Sequence, residues 1–156
     1  TFNLHASLLP QYRGAAPINW AIINGETKTG VTTFFLQQEI DTGDILMSES
    51  IDILPEDNFE TLHDKLMVLG AELTLKTVKA IENNDVHPIA QSQQPSTPAP
   101  KIFKEDGILD FNQTSNQLHN KVRGLSPFPA AYTHLDGKIL KIFNYRIRIL
   151  YLQMYA

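Results

Sequence analysis

Two short motifs contain the residues of this sequence that could do chemistry together. Asn3 and His5 lie two apart in residues 1–5, which read as a short buried strand ending at a loop, and Asp41 lies in the segment EIDTGDIL. Side chains two apart in a strand point to the same face, so the Asn3 carboxamide and the His5 imidazole should emerge side by side. A carboxylate within about 4 to 6 Å would hold a proton on such a histidine. Asp41 is the candidate for that carboxylate.

This combination of groups suits the attack of a nucleophile on a carbonyl carbon. An amide N–H can hold the carbonyl oxygen, and a neighbouring imidazolium can stabilise the negative charge that develops on it. Each motif also has a purely structural explanation. Asn3 and His5 can be a capping amide and a hydrogen-bonded histidine, and DTGD can be a hairpin tip in which Gly43 takes a positive φ and the aspartates satisfy turn amides. Residue types and spacing alone leave both explanations open.

Several other kinds of site are disfavoured. DTG is also the signature of aspartic proteases, but those need two carboxylates that share one proton, and this chain has one copy followed by the charged Asp44. The sequence has no cysteine, which excludes a disulfide framework, a zinc ribbon and a thiol nucleophile. The other histidines are scattered without metal-ligand spacing, so no metal site is expected. They are His63, His87, His119 and His134.

The loop after the first motif, SLLPQYRG, is more apolar than an idle surface loop. Its first four residues either seal a core or wall a pocket for a flat ligand, and taken in isolation they favour the core. These residues are Ser7, Leu8, Leu9 and Pro10. Arg13 could hold an anion or pin the loop to a neighbouring carboxylate, and the second role is the commoner one.

Apolar periodicity and turn residues predict an α/β chain with a linker. Pro17 and Gly25 suit the two ends of a first helix, and Asp57 with Glu60 forms a plausible capping box for a long one. Residues 86–100 are rich in proline, glutamine and serine, which predicts an extended, mostly solvated linker. In chain order the predicted elements are a helix over 16–25, strands over 29–37 and 45–53 joined by a hairpin, helices over 57–83 and 112–125, and strands over 131–135 and 138–150.

The composition is that of a soluble globular protein of one ordinary domain or parts of two. The 156 residues are 42% hydrophobic, with a mean hydropathy of -0.19. No apolar run approaches the roughly 20 residues needed to span a bilayer, so no membrane role is expected. The absence of cysteine fits a cytoplasmic location. The chain begins without a methionine or a signal peptide and ends in a strand-like run, 146–156, so we expect it to have been cut from something longer.

The distribution of charge changes along the chain. Residues 1–100 carry 5 basic and 13 acidic side chains, whereas residues 101–156 carry 8 basic and 4 acidic ones. This reversal suggests that the distal segment faces a polyanion such as nucleic acid. An ordinary solvated surface with a few extra lysines is the alternative.

Taken together, the motifs resemble the folate-dependent formyltransferases, above all those that act on methionyl-tRNA. The stretch NLHASLLPQYRGAAPINWAI, followed by GVT and DTGDIL, carries the first part of the resemblance. HDKLMVLG, PAPKIFKEDGILDF and VRGLSPFPAAY extend it to about residue 145. The resemblance implies a partial Rossmann-like catalytic domain over residues 1–85, with a parallel strand, a hairpin and a long helix. A linker over 86–100 and the start of an OB-like β-barrel domain over 101–156 would follow.

The resemblance also implies a reaction. A formyl group would pass from 10-formyltetrahydrofolate to the α-amine of methionyl-initiator-tRNA, without a metal and in a monomeric enzyme. Asn3, His5 and Asp41 would be catalytic, and residues 7–10 would border the folate. The amino-terminal half of the catalytic domain and most of the carboxy-terminal domain are not in the sequence. Two alternatives stay open: an amino-sugar nucleotide as the acceptor, and an inactive fragment with only remnants of the folate site.

Overall fold

The computed structural model describes residues 1–92 and 95–144. Its elements follow the predicted order, which confirms the α/β class, and their bounds agree with the predicted ones to within a few residues, except for the last strand. That strand is predicted over 138–150 and ends at Ile142. Its residues from 145 onward, like the predicted strand-like tail, 146–156, lie outside the described residues. The elements are β1 (Phe2–His5), α1 (Pro17–Ile23), β2 (Lys28–Phe35), β3 (Ile45–Asp52), α2 (Phe59–Glu82), a 3-10 turn (Lys104–Gly107), α3 (Ser115–Gly124), β4 (Ala131–Leu135) and β5 (Lys138–Ile142).

The first three strands form one antiparallel sheet in the order β1-β2-β3. β1 pairs with β2 in the opposite direction, with Asn3 opposite Phe34 and His5 opposite Thr32. The strands expected to run parallel to β1 belong to the amino-terminal half of the catalytic domain, which the sequence does not include, so the parallel pairing stays a prediction. The prediction that β1 is buried fails for most of the strand. β1 has one neighbouring strand in the described sheet, so Asn3 and Leu4 are exposed and only His5 is buried.

Helix α2 packs on the sheet through the apolar stripe predicted from the sequence. Leu62, Leu66 and Leu73 are at most 2% exposed, and they form a core with residues of α1 and β2. Burying a leucine side chain stabilises a fold by about 1.5 to 3 kcal/mol. Inside this layer the hydroxyl groups of Thr33 and Thr77 hydrogen-bond to each other at 2.9 Å. The helix thus fixes the sheet from the side opposite the loop that follows β1.

The capping box of α2 differs from the predicted one. The helix begins at Phe59, so Asn58 is the N-cap, and its partner is Thr61. Asp57 instead lies buried beneath the helix start, where its carboxylate accepts hydrogen bonds from the Leu54 N–H and the Lys65 ammonium. Burial raises the pKa of this carboxyl, but the bonds from Lys65, Leu54 and Thr61 outweigh it and lower the pKa below its ordinary value.

The described residues of segment 86–100 are extended and mostly exposed, as predicted, but they are attached to the preceding loops at several points. Ile89 pairs with Ile45 in an antiparallel bridge, which continues the sheet beyond β3. Further on, the Ala99 N–H donates to the Arg13 carbonyl at 2.8 Å, and Ala99 is fully buried. The segment therefore runs along the loops that follow β1 and β2.

The distal part contains α3 and a two-stranded antiparallel sheet, β4-β5, around a small core of its own. It contacts α1 closely: the Asn19 side chain donates to the Gly124 carbonyl at 2.8 Å. Two strands do not test whether an OB-like barrel is present, so that part of the fold stays a prediction. Among the described residues, no helix combines the length and the apolar character needed to cross a membrane.

Candidate active site

His5 ends β1 and is enclosed by its own chain. It is 7% exposed, and its ring stands edge-on to Phe34 with centroids 6.5 Å apart. Its Nε2 lies 2.8 Å from the Tyr12 carbonyl oxygen, which can only accept, so Nε2 carries the hydrogen of that bond. The loop after β1 turns back beneath the strand end to provide this carbonyl. The position of the ring is thereby fixed.

Asp41 is brought to His5 from the loop between β2 and β3. Its Oδ2 lies 3.6 Å from His5 Nδ1, which is an ion-pair distance rather than a hydrogen bond. The same oxygen accepts a 2.9 Å hydrogen bond from the Gly14 N–H. The histidine and the carboxylate are 8% and 12% exposed, so their interaction is shielded from bulk water.

The turn that carries Asp41 is built differently from the structural explanation given above. Asp41, not Gly43, has the positive φ, at 55°. Aspartate tolerates this left-handed conformation better than most residues do. Gly43 is needed for space, because a Cβ there would overlap the Phe35 carbonyl oxygen. Both residues thus shape the turn for steric reasons.

Asn3 lies on the same face of β1 as His5, as the strand period requires. Its side chain is exposed and makes no hydrogen bond within residues 1–92 and 95–144. The carboxamide is therefore available to a ligand at the strand edge. The structure brings His5 and Asp41 into contact and leaves Asn3 beside them, open to solvent.

The loop residues proposed from the sequence divide into two pairs. Ser7 and Leu9 are buried: the Ser7 hydroxyl donates to the Gln11 carbonyl at 2.6 Å, and the Leu9 N–H donates to the Thr32 hydroxyl at 3.2 Å. Leu8 and Pro10 are half-buried. The first pair holds the loop against β2, and the second pair is the part of the motif that a ligand could touch.

The second half of this loop adopts conformations that few residues allow. Tyr12 has φ 61°, and its buried hydroxyl donates to Glu26 at 2.6 Å. Burial and this bond raise the pKa of Tyr12 to about 12. Gly14 has φ 123°, and a Cβ there would lie 2.5 Å from the Ala99 carbonyl oxygen. Only glycine fits this position, from which its N–H reaches Asp41.

Arg13 pins the loop as predicted, but to an amide rather than to a carboxylate. The Nε and Nη2 atoms of Arg13 donate hydrogen bonds to the Gln91 Oε1 at 3.1 and 2.6 Å. Gln91 was not singled out by sequence reasoning, because the segment 86–100 shows no apolar period. These residues border an open, polar groove of about 630 Å³. Its lining residues are Arg13, Gln37, Gln38, Glu39, Thr42, Gln91 and Ser92.

Among the described residues, no group of three or more His, Asp or Glu side chains could hold a metal ion.

The fold and this geometry define an α/β domain with an exposed amide and a histidine–carboxylate pair at a sheet edge. The chain belongs to the formyl transferase family. The family model described as formyl transferase matches residues 1–78, and the model of the formyl transferase C-terminal domain matches residues 101–149. The predicted membership of this family is thereby confirmed.

Relatives of known sequence and structure agree with this assignment. The chain is 55% identical over 153 residues to the methionyl-tRNA formyltransferase of Bacteroides thetaiotaomicron and 56% identical over 154 residues to that of Phocaeicola vulgatus. Each match includes 92% of this chain and 48% of the relative, so the chain spans about half the length of these curated relatives. Among solved structures, the N-formyltransferase of Helicobacter canadensis, in complex with folinic acid and dTDP-3-aminofucose, superposes with a TM-score of 0.79 at 27% identity. That match includes 91% of this chain and 52% of the other.

Proposed function

We propose that the complete polypeptide containing residues 1–156 transfers a formyl group from 10-formyltetrahydrofolate to the α-amine of methionyl-initiator-tRNA. The observation that carries this proposal is the 3.6 Å contact between His5 Nδ1 and Asp41 Oδ2, within the segment that matches the family. The relatives that share more than half of their aligned residues with this chain are named methionyl-tRNA formyltransferase.

The reaction needs one bond to form and one to break. The amine nitrogen attacks the formyl carbon, and the carbonyl oxygen becomes an oxyanion. The bond between that carbon and N10 of the folate then breaks, while a proton leaves the amine and N10 gains one. Asn3 is placed to donate its amide N–H to the oxygen, because its carboxamide is exposed on the face of β1 that carries His5. A well-placed oxyanion donor lowers such a barrier by about 3 to 4 kcal/mol.

The two nitrogens of His5 have different tasks in this proposal. Nε2 already donates to the Tyr12 carbonyl at 2.8 Å, so that bond orients the ring. Among the described residues Nδ1 makes no hydrogen bond and has the longer contact with Asp41, so its hydrogen, when the ring is protonated, would be the one available to the oxyanion. Asp41 offsets the positive charge of the protonated ring and offers an acceptor for the proton that leaves the amine.

The folate would lie against the loop after β1. Leu8 and Pro10 supply partly exposed apolar surface for a flat ring. Ser7 and Leu9 would act by holding that loop in place, because their polar groups already bond within the chain. The solved relative from Helicobacter canadensis was crystallised with folinic acid, which supports a folate co-substrate in this family.

The charge distribution suggests different roles for the first and the last part of the chain. Residues 1–85 would carry the catalytic groups and 86–100 would connect them to a distal unit from residue 101 onward. The distal unit has 8 basic against 4 acidic residues, which suits contact with the phosphates of a tRNA. A phosphate-binding unit of this kind would position the acceptor end without reading its sequence.

Formylation of methionyl-tRNA by the complete polypeptide tests the proposal. With 10-formyltetrahydrofolate as donor, we expect transfer by the wild type and a loss on the order of 100-fold or more for His5→Ala. A loss of less than about tenfold would contradict the catalytic role of His5, since one oxyanion donor is worth more than that. His87→Ala is the matched control, because His87 is 88% exposed on segment 86–100.

An amino-sugar nucleotide is the second candidate acceptor. The observation in its favour is the structural similarity to the Helicobacter canadensis enzyme, whose crystals contained dTDP-3-aminofucose. Its identity to this chain, 27%, is about half that of the methionyl-tRNA enzymes. Supplying both acceptors in one assay decides between them, because the chemistry at the formyl carbon is the same and only the formylated product differs.

Titration of the chain with folinic acid, followed by calorimetry, tests whether a folate site is formed at all.

A further inference from the structure

We propose that Gln91 is a positioning residue of the active site: its carboxamide fixes the turn that presents Asp41 to His5. The Gln91 Nε2 group donates to the Asp41 carbonyl at 2.8 Å and to the Gly43 carbonyl at 2.7 Å. Its Oε1 accepts from Arg13. One side chain thus ties the turn between β2 and β3 to the loop after β1. The catalytic consequence rests on the proposed function, whereas the structural consequence does not.

This arrangement needs a side chain that both donates to the two carbonyl oxygens and accepts from Arg13, and glutamine does both. The two carbonyl oxygens need N–H donors, and the guanidinium of Arg13 needs an acceptor. A glutamate of the same shape would keep the bond to Arg13 but would set a carboxylate oxygen against the two carbonyls. A methionine of similar length would leave both sides unbonded. The surrounding groups also determine the orientation of the Gln91 amide. A flipped carboxamide would turn its N–H donors toward the donors of Arg13 and its oxygen toward the two carbonyl oxygens.

The Asp41 turn needs such an anchor. Asp41 has a positive φ, and the neighbouring residues 37–40 are exposed. Within the described residues, the Asp41 side chain has one hydrogen bond, from the Gly14 N–H, and its carbonyl has the bond from Gln91. If the bond from Gln91 were lost, the backbone of Asp41 would be free to move, and among the described residues its carboxylate would keep only the Gly14 hydrogen bond and the 3.6 Å contact with His5. A displacement of about 1 Å at a reacting group can cost on the order of 100-fold in rate.

Gln91 is itself held in register by the chain around it. Two residues earlier, Ile89 exchanges two 2.8 Å backbone hydrogen bonds with Ile45, at the start of β3. The segment that joins the two family-matched regions therefore contributes a side chain to the site. The segment must pass the Asp41 turn for Gln91 to reach it, so it does more than connect the two regions.

The kinetic test compares Gln91→Glu and Gln91→Met with Met67→Glu in the complete polypeptide. Met67 is 60% exposed on α2 and borders neither the groove nor the Asp41 turn, so its variant controls for the added charge. We expect kcat for methionyl-tRNA formylation to fall by about 10- to 100-fold in both Gln91 variants, with KM little changed, and to stay within about twofold in the control. Unchanged kcat in both Gln91 variants would overturn the proposal.

A double-mutant cycle shows whether Gln91 acts through Asp41. In an Asp41→Asn background, Gln91→Glu should change kcat by less than about twofold, because the group that it positions has been removed. Full additivity of the two substitutions would assign Gln91 an independent role and overturn the positioning claim.

Amide hydrogen exchange separates this proposal from the proposed function. The Gly14 N–H is bonded to Asp41, so loosening the Asp41 turn should expose it. We expect Gly14 exchange to accelerate by about tenfold or more in Gln91→Glu and Gln91→Met, with the amides of α2 unaffected in these two variants, and to be unchanged in Met67→Glu. This result is expected even if methionyl-tRNA is not the acceptor. Unchanged Gly14 exchange in both Gln91 variants would contradict the positioning role.

Discussion

At the scale of single residues, the site depends on backbone groups as much as on side chains. His5 is oriented by the Tyr12 carbonyl, and Asp41 by the Gly14 N–H. Both groups belong to a short loop in which Tyr12 and Gly14 take positive φ values of 61° and 123°. Substitutions in this loop should therefore disturb the His5–Asp41 pair without touching either side chain.

Gly14→Ala is the sharpest test of this dependence. The new methyl group would lie 2.5 Å from the Ala99 carbonyl oxygen, in a backbone conformation that alanine disfavours. We expect a loss of roughly 2 kcal/mol or more in the free energy of unfolding, measured with urea. Gly137→Ala is the control, because Gly137 also has a positive φ, 75°, but has open space around it, so about 1 kcal/mol is expected there. Equal losses in the two variants would contradict the steric explanation.

Residue types and spacing pointed to Asn3, His5 and Asp41 as candidates, and the structure brings His5 and Asp41 into contact. This contact could be expected from the sequence, because a carboxylate is the group that stabilises a protonated imidazole. Gln91 could not be found in this way, because an isolated glutamine in a proline-rich segment looks like solvated linker. The Tyr12 carbonyl could not be found either, because a backbone acceptor leaves no trace in the residue types.

At the scale of elements, the helices and strands follow from periodicity and from their end signals. Pro17 begins α1, and Gly25, with φ 77°, follows its end, as their residue types predict. The pairing of β1 with β2 was not predicted, because strand pairing depends on the path of the chain and not on local residue types. The capping box of α2 was displaced by one residue, since Asp57 is used beneath the helix and leaves the cap to Asn58.

Asp57 makes the start of α2 sensitive to acid. Its pKa is lowered in the folded protein, so its contribution to stability is present above the ordinary carboxyl pKa and is lost as the pH falls through the folded value. We expect Asp57→Asn to cost about 1 to 3 kcal/mol of unfolding free energy at neutral pH, because it weakens buried bonds to Lys65 and Leu54. Urea unfolding at neutral and at acid pH measures this difference, which should shrink in acid.

Asp52→Asn is the matched control for Asp57. Its carboxylate is 73% exposed and lies 3.9 Å from Lys28, so about 0.5 kcal/mol or less is expected at any pH. A cost for Asp57→Asn that does not decrease toward low pH would show that its charge is not what stabilises the helix start.

At the scale of the whole molecule, the two family-matched regions are joined by specific bonds and not by the linker alone. Arg123 in α3 donates from Nη1 to the carbonyls of Leu54 and Asp57, at 3.3 and 3.0 Å. These carbonyls lie just before α2, so one guanidinium connects the distal helix to the part of the chain that follows β3. The guanidinium is partly withdrawn from water, which lowers the pKa of Arg123.

Arg123→Met should loosen the distal part selectively. Methionine keeps most of the side-chain length and its apolar contacts but cannot donate to the two carbonyls. We expect faster amide hydrogen exchange in α3, by about tenfold, with exchange in α2 little changed. Lys138→Met, at an exposed position of β5, is the control for the loss of one positive charge. Equal protection of α3 in the wild type and in Arg123→Met would contradict the proposed connection.

The central claim is that Asp41 acts with His5 on the formyl group, and the most direct test is single-turnover formyl transfer by Asp41→Asn in the complete polypeptide. Saturating methionyl-tRNA and 10-formyltetrahydrofolate isolate the chemical step from binding. Asparagine keeps the shape of the side chain and the acceptor for Gly14 but removes the charge beside His5. We predict a single-turnover rate on the order of 100-fold below that of the wild type. A rate within about threefold of the wild type would contradict the claim, because a charge that the chemical step needs cannot be removed at so small a cost.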